Sequence, residues 1–355
     1  MRNVKETLLY ILKRLGLMIF TFVVIFIMCF ILIRLLPLDS TQGAGKDGTI
    51  YYQFQVALGR MYYDPNANNG NGAYLKAPVI GQLFTFVKTL FAPERYVQDG
   101  VVKTVSRWGY SWVISKLVTP DDLLFKRLPP TILINIYSII FSVPLGLGLG
   151  TYMALKKNKW QDNVLNILIM VLISVPSFVY AFLLQSVVGY QWHLLPPNRL
   201  TLLEAGGSYF SPKMFSSMVL PVLAMSFGSI AGYARYTRAE LTEVLTSDFM
   251  LLARTKGLSR AQATVRHAFR NSLVPIFPMI LGEILSILSG SIIIEQIFNV
   301  NGVGSLYLES ITKRDFDVFQ FVSMFYIFIG LLGGLVVDVS YGLVDPRIRM
   351  GGGKD

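Results

Sequence analysis

The sequence predicts an all-α integral membrane protein with six transmembrane helices and a large extracytoplasmic insertion between helices 1 and 2. Of its 355 residues, 53% are hydrophobic and only 15% are charged, whereas a soluble domain carries about 25% charged residues. Six apolar stretches are long enough to cross a hydrocarbon layer about 30 Å thick. Basic residues cluster in short polar segments beside these stretches, which is typical of membrane topology rather than of nucleic-acid binding.

Residues 1–37 are predicted to form a short cytoplasmic segment and the first span. Residues 15–33 carry no charge. This apolar core is too long for a secretory signal, and no small-x-small cleavage site follows it. We therefore expect an uncleaved helix, with Arg34 at its outer end snorkelling towards water.

Residues 38–127 are predicted to form one extracytoplasmic insertion. They are polar, and residues 64–72 are rich in the Asn, Gly and Pro that favour turns. Residues 79–91 are apolar, but 13 residues cannot cross the bilayer. We expect a packed or interfacial helix there.

Residues 128–355 are predicted to form a core of five further spans. Pro129 and Pro130 are expected to open its first helix, because proline is tolerated at a helix start. Pro176 interrupts the next span, and the GxxxG spacing of Gly146 and Gly150 favours close helix packing. The predicted spans are 131–155, 164–190, 214–234, 273–298 and 318–337.

The distribution of lysine and arginine predicts the orientation. The N-terminal segment, residues 156–159, residues 235–270 and the C-terminal tail carry 17 of them, against 4 in the short segments of the opposite side. By the positive-inside rule, both termini and the 235–270 segment lie in the cytoplasm.

The chain lacks the motifs of an enzyme. It has no G-x-x-x-x-G-K-[ST] sequence, and Gly43–Lys46 only looks similar, so ATP and magnesium would be bound by another chain. Cys29 is the single cysteine, and His193 and His267 lie far apart, which argues against a disulfide framework and a metal site. We expect no cofactor in this chain. Kinked spans with few buried charges favour a translocation path instead.

Glu283 is the strongest candidate for a polar residue on that path. It lies eight residues beyond Pro275, about 12 Å along a helix and so near mid-membrane. A charge there costs roughly 2.5–3.5 kcal/mol, so the side chain should face a cavity or a partner. Gln185 and Asn135 are weaker candidates, because uncharged polar residues commonly pack helices. Glu295 is expected near the outer interface, where exposure costs little, and is not selected.

Three uses of Glu283 remain open. The carboxylate could bind a substrate amine or peptide N–H, or pair with a basic or amide group across a subunit interface. The third use is structural, as a protonated carboxyl that packs against Ser286 or Ser289.

Residues 248–275 are the longest basic polar interval of the C-terminal half, and they predict two short helices. The Asp248 side chain is expected to cap the first helix by accepting a hydrogen bond from the free N–H groups of the first helical turn. Phe249, Leu252 and Ala253 are expected to share one face of it.

A glycine separates the two helices. Lys256 lies in the last turn of the first helix, and Gly257 should take the left-handed conformation that ends it. Ser259 and Gln262 form an S-x-x-Q capping box that starts the second helix. Two interpretations are open: an amphipathic loop lying on the membrane, or a docking element for a cytoplasmic partner.

Taken together, several stretches of the sequence resemble the first permease subunit of the oligopeptide/dipeptide class of ATP-binding-cassette (ABC) importers. Residues 236–272 then resemble the family's cytoplasmic coupling loop, the EAA loop, with Ala253 and Gly257 at its alanine and glycine positions. Leu251 replaces its glutamate and Arg270 its proline, a variant usual in the peptide branch. The stretches are LPPT at 128–131, ISVPSF at 173–178, YARYTRAE at 233–240, DFMLLARTKGLS at 248–259, RHAFRN at 266–271, FNVNGVG at 298–304, KRDF at 313–316 and DPRIR at 345–349.

The resemblance implies a type I ABC importer permease of the bacterial inner membrane, forming half of a translocation path for peptides. Nickel and sugar oligomers are alternative solutes within such a family. The implied partners are a second permease subunit, two ATP-binding ATPase subunits and an extracytoplasmic solute-binding protein. The residues implied to contact an ATPase are Asp248, Phe249, Leu252, Ala253, Arg254, Lys256 and Gly257.

An ion-coupled secondary transporter is the alternative function, and a membrane scaffold or channel subunit is a further one. The first needs inverted repeats and ion-binding residues in broken helices, and the sequence shows no internal repeat. The second has no need for two capped helices separated by a glycine. Co-purification of ATPase chains would distinguish an importer from both.

Overall fold

The computed structural model describes residues 4–36, 48–68, 70–91, 95–98, 101–104 and 106–344. The DPRIR stretch and Gly43–Lys46 lie outside these residues. The first helices are α1 (Val4–Leu35), α2 (Gly48–Ala57), α3 (Val79–Phe91), α4 (Pro120–Leu155), α5 (Trp160–Ser174), α6 (Ser177–Leu183) with its π-helical extension (Leu184–Gln191), and α7 (Pro212–Leu245). They are followed by α8 (Asp248–Thr255), α9 (Arg260–Ala263), a π-helical turn (Thr264–Phe269), α10 (Arg270–Ser272), α11 (Phe277–Ser286), α12 (Ile292–Ile297), α13 (Val303–Thr312) and α14 (Phe316–Val344).

Four of these helices are long and apolar enough to cross a membrane, namely α1, α4, α7 and α14. Two further candidate spans are bent pairs of helices. The pair made by α5 with α6 and its extension bends by 95°, and residues 261–272 with α11 bend by 55°. The described part of the chain therefore holds four single-helix spans, or up to six if each bent pair is one span.

The predicted span over residues 164–190 is divided into two helices at Pro176. Helix α5 ends at Ser174, and Val175 and Pro176 are extended before α6 begins. Proline has no N–H to continue the helix and disfavours helical geometry in the residue before it. The proline was expected to interrupt this span, but the structure turns the chain by 95° there.

The predicted fifth span, residues 273–298, is not one continuous helix. Helix α11 ends at Ser286, and Gly290 has a φ of +65° before α12 begins. The helical partner of α11 lies N-terminal to it, in residues 261–272. The second short helix of the 248–275 stretch is thus part of a candidate span.

Helix α4 begins well before the predicted start at Pro129 and Pro130, which lie inside it. Its first residue is Pro120, and Asp121 and Asp122 follow in the first turn. Their negative charges interact favourably with the positive N-terminal end of the helix dipole, and this interaction stabilises a helix start at this position. The C-terminal end of the predicted insertion therefore belongs to this helix.

Helices α4 and α7 approach closely at the GxxxG spacing. A Cβ on Gly146 would lie 2.5 Å from the Cβ of Tyr233 and 3.0 Å from the Ile230 carbonyl oxygen. A Cβ on Gly150 would lie 2.5 Å from the Ala234 carbonyl oxygen. Only glycine allows this approach, so the predicted close packing is confirmed.

Contacts divide the chain into two units. One comprises residues 1–16, 128–305 and 329–355, and its main core gathers side chains of α4, α6, α7 and α12. The other comprises residues 17–127 and 306–328.

The second unit contains the insertion, which holds α2, α3 and two antiparallel hairpins. Strand β1 (Met61–Asp64) pairs with β2 (Ala73–Lys76), and β3 (Arg95–Gln98) pairs with β4 (Val101–Thr104). The predicted turn-rich segment lies between β1 and β2. The predicted short helix at residues 79–91 is present with the same bounds as α3.

Candidate functional site

Helix α8 is the first short helix of the 248–275 stretch. Its N-cap is Ser247, whose hydroxyl does not cap the helix but donates to the Val244 carbonyl oxygen at 2.6 Å. Asp248 lies in the first turn instead, where its negative charge interacts favourably with the helix dipole. The predicted cap is therefore wrong by one residue.

The two faces of α8 differ in burial. Met250 and Ala253 are buried, and they pack in one cluster with α7. Phe249, Leu251 and Leu252 are exposed. Ala253 is thus buried whereas Phe249 and Leu252, which were predicted to share its face, are exposed. The exposed side of α8 is a patch of three large apolar side chains.

The end of α8 has the predicted geometry. Gly257 has a φ of +91°. The Ser259 N–H donates to Gln262 Oε1 at 3.1 Å, and the Gln262 N–H donates to Ser259 Oγ at 3.2 Å, so the capping box is confirmed. Arg254 and Lys256 are exposed beside the apolar patch.

Glu283 lies on α11 and its carboxylate contacts α7. The Ser229 hydroxyl donates to Oε1 at 2.8 Å, and the Tyr233 hydroxyl donates to Oε2 in a short hydrogen bond. The Ser286 hydroxyl bonds the Glu283 carbonyl oxygen rather than its carboxylate. The carboxylate therefore contacts Ser229 and Tyr233 rather than the predicted Ser286 or Ser289. The side chain stays partly exposed, and no ion pair seen among the described residues includes it.

The two weaker candidates are bonded to other groups than Glu283. Asn135 is buried and donates to the Thr131 carbonyl oxygen at 2.7 Å, one turn earlier in α4. Gln185 lies in the π-helical extension of α6. Its amide nitrogen donates to Pro197 O, Ile297 O and Asn198 Oδ1.

Glu295 is buried, so the expectation that its side chain is exposed is wrong. It is 4% exposed. Its Oε1 accepts from the Thr131 hydroxyl at 2.9 Å, and its Oε2 accepts from the Ser305 N–H at 2.8 Å. The Val303 N–H donates to Thr131 Oγ1 at 2.9 Å. A Cβ on Gly302 would lie 2.5 Å from Glu295 Oε2.

Glu295, Thr131, Gly302, Val303 and Ser305, called the Glu295 node below, join α12 to the interior of α4 and to the start of α13. The groups around Glu295 come from the LPPT stretch (Thr131), from the FNVNGVG stretch (Gly302 and Val303) and from Ser305, which follows that stretch. A carboxylate in an apolar stretch close to a glycine-rich segment was the available signal. It did not identify the donors, because Thr131 is 164 positions away.

The second unit holds a buried ion pair. Arg34 is 6% exposed, so the predicted snorkelling is wrong. Its guanidinium donates to Gln320 Oε1 at 3.0 Å and lies 3.8 Å from Asp317. Arg60 pairs with Asp317 at 2.7 Å. Counter-charge and hydrogen bonds inside the protein replace water around Arg34.

Two further carboxylates, Glu309 and Asp315, precede Asp317 in the sequence. Burial raises the pKa of Asp315, although the Ser111 hydroxyl and two backbone N–H groups act to lower it. Burial alone would raise the pKa of Glu309 as well, but hydrogen bonds and charge from Lys313 and Arg127 outweigh it and lower that pKa. The described residues hold no cluster of three His, Cys, Asp or Glu that could bind a metal.

Known proteins resemble this chain over most of its length. Residues 146–350 match the family model described as the binding-protein-dependent transport system inner membrane component. The dipeptide transport system permease protein of Lactococcus lactis subsp. cremoris is 30% identical over 96% of this chain and 99% of its own length. The corresponding Bacillus subtilis protein is 36% identical over 65% of this chain and 71% of its own length. The glutathione transport system permease protein of Escherichia coli K12 is 27% identical over 96% of this chain and 98% of its own length.

These relatives favour the ATP-driven class over the ion-coupled alternative and confirm the predicted resemblance. The family consists of membrane subunits, and the ATPase resides in separate chains. The chain therefore belongs to the inner membrane component family of binding-protein-dependent transport systems, and it is a multi-pass permease subunit of an ABC importer.

Proposed function

We propose that this permease docks its ATPase partner through α8 and forms half of a translocation path for peptides. The exposed apolar patch of α8, Phe249, Leu251 and Leu252, is the observation that carries the proposal. Burying a large apolar side chain contributes about 1.5–3 kcal/mol, so three neighbours on one short helix favour a partner's groove. Arg254 and Lys256 add charge at the rim, which orients an encounter more than it tightens it.

The opposite face of α8 explains how a movement would reach the membrane. Met250 and Ala253 pack against α7, which is itself a candidate span. Gly257 ends α8, and the Ser259–Gln262 capping box starts the next helix only two residues later, so no flexible linker separates them. A displacement of α8 by a nucleotide-driven partner would therefore be passed to α7 and to the bent pair that includes α11.

The test is co-purification of the ATPase subunits with permease variants. Phe249→Asp places a charge in the patch, and Gly257→Val strains the positive φ that ends α8. Both should abolish uptake and weaken ATPase association while the spans still insert. Phe210→Asp is the matched control, because Phe210 is also an exposed phenylalanine and lies in the 192–211 loop. Normal ATPase association in both α8 variants would refute the docking role.

Glu283 is proposed to face the path. Support comes from its position on α11, its partial exposure and the absence of a cation among the partners described for it. Ser229 and Tyr233 hold the carboxylate in place, so it can attract the amine of a passing peptide. Gln185 and Asn135 are proposed to shape the wall of the same path, because their amides fix neighbouring backbone.

A reconstituted complex tests this role. Glu283→Gln keeps two acceptor or donor positions for the hydroxyl groups but removes the charge. Uptake of a peptide with a free amine should fall relative to its N-acetylated form, with normal assembly and basal ATPase activity. Ser286→Ala, which leaves the carboxylate contacts intact, is the control. An unchanged preference between the two peptides would leave Glu283 as a structural residue.

The remaining assignments follow from family membership and from the charge pattern. We propose six spans with both termini in the cytoplasm, a second permease subunit, two ATPase subunits that bind ATP and magnesium, and a solute-binding protein that meets the insertion. The peptide class is supported by relatives named for dipeptide and glutathione transport. The bacterial inner membrane is the matching location.

A further inference from the structure

Helix α3 of the insertion has its polar and apolar sides reversed relative to a helix on a water-facing domain. Its three buried residues are Gln82, Phe86 and Thr89, so two of them are polar. Its exposed side carries four large apolar residues with exposed fractions of 41% or more: Ile80 (70%), Phe84 (73%), Val87 (41%) and Phe91 (84%). In water a helix buries its apolar stripe and exposes its polar one.

The inward polar groups have partners within the chain. Gln82 donates its side-chain amide to the Ala77 carbonyl oxygen at 2.7 Å. Thr89 donates its hydroxyl to the Phe86 carbonyl oxygen at 2.8 Å. The polar side of α3 therefore needs no water, and its outward apolar side gains nothing from water.

The contacts of α3 place it beside a membrane-spanning helix. The Phe86 ring lies 5.6 Å from that of Phe26 and 5.4 Å from that of Phe30. Both belong to the candidate span of α1, which ends at Leu35. At 1.5 Å per residue they lie about 7–14 Å below the end of that helix. Helix α3 therefore lies beside the candidate span and not beyond its end, as expected of a helix at the hydrocarbon boundary.

Trp108 supports the same depth. Its ring lies 5.3 Å from Phe86 and 5.1 Å from Phe321, near the start of the candidate span α14. Tryptophan prefers the interface between hydrocarbon and headgroups. Two spans and an interfacial aromatic residue thus meet at the inner side of α3.

We propose that α3 is embedded in the bilayer leaflet at the C-terminal end of α1, with its exposed apolar side among lipid acyl chains. Lys88 is exposed on the same side of the helix. Its ammonium group can reach lipid phosphates while its stem stays in the apolar layer. The insertion is then held to the membrane by its own interfacial helix. This proposal depends on membership of a membrane-protein family and not on the docking or path assignments.

The test uses the full importer complex in lipid nanodiscs. A fluorophore is attached to Phe84→Cys in a Cys29→Ala background, and its emission is measured with brominated acyl chains and with aqueous iodide. Loss of emission with brominated lipid, without quenching by iodide, is the expected result. Tyr62→Cys on β1 is the control, since Tyr62 is also an exposed aromatic residue, and iodide should quench it.

Two results would overturn the proposal. Quenching of the Phe84 position by iodide would mean that α3 faces water. Quenching by neither reagent would mean that a partner subunit covers this side of the helix. Phe91→Cys repeats the measurement on the same side, so that a failure of one variant to assemble does not decide the outcome.

Discussion

A single added methyl group at Gly302 should disrupt the Glu295 node. The Cβ of alanine would lie 2.4 Å from Thr131 Oγ1 and 2.5 Å from Glu295 Oε2. Non-bonded heavy atoms prefer about 3.5 Å, so one side must give way by about 1 Å. A shift of that size in Thr131 would break the 2.9 Å hydrogen bond from the Val303 N–H.

The expected cost of Gly302→Ala has two parts. Overpacking of a well-filled site costs about 1–3 kcal/mol. A buried donor that loses its acceptor costs a further ~1–3 kcal/mol. The sum is about 2–6 kcal/mol. Gly148→Ala is the matched control, because no atom lies within 4 Å of its Cβ and alanine is favoured over glycine in a helix by about 1 kcal/mol.

Thermal inactivation of the purified permease in detergent measures the effect. Membrane proteins rarely unfold reversibly, so the midpoints of variants are compared under one heating rate rather than converted to free energies. Gly302→Ala should lower the midpoint clearly, and Gly148→Ala should leave or raise it. Thr131→Val, which removes the hydroxyl but keeps the shape, should reproduce part of the loss. A midpoint for Gly302→Ala equal to that of the wild type would show that the Glu295 node can relax around a methyl group, and it would refute the predicted destabilisation.

Three further outcomes are expected. In a cysteine-free background, cysteines at Asn66 and Ser208 should react with an impermeant thiol reagent in intact cells and one at Lys157 should not; labelling at Lys157 would reverse the proposed orientation. Deleting the turn between β1 and β2 should be tolerated, whereas deleting α3 should lower expression, and equal tolerance would contradict a packed α3. Because the folded pKa of Glu309 lies below its ordinary value of 4.5, its contribution is present above that pH and is lost as pH falls through the lowered pKa. Glu309→Gln should therefore reduce the fall of the thermal-inactivation midpoint at acid pH, and an unchanged fall would show that the ion pairs of Glu309 contribute nothing to stability.

Features that depend on neighbouring residues could be predicted from the sequence. The apolar length of α1, α7 and α14 marks them as spans, and the mainly apolar stretch of 13 residues gives the bounds of α3. Gly257 and the Ser259–Gln262 capping box act within one turn, so their geometry follows from residue type. The prediction that Phe249 and Leu252 share one face of α8 has the same basis, because they lie within one turn of each other.

Features that depend on distant residues could not be predicted in this way. Arg34 is buried because Gln320 lies beside it, 286 positions along the chain. Glu295 is buried because Thr131 supplies a donor from another helix. The 95° bend after α5 required knowledge of how the following segment packs, since Pro176 alone is compatible with a modest kink.

The buried ion pair of Arg60 with Asp317 spans 257 positions, and this separation sets an order of events during synthesis. Arg34 and Arg60 leave the ribosome early, but their counter-charge, Asp317, arrives only with α14. Until then, burying two guanidinium groups would leave their charge uncompensated, at a cost of several kcal/mol per ion. The insertion therefore cannot close around these arginines with their charge compensated until Asp317 has been made.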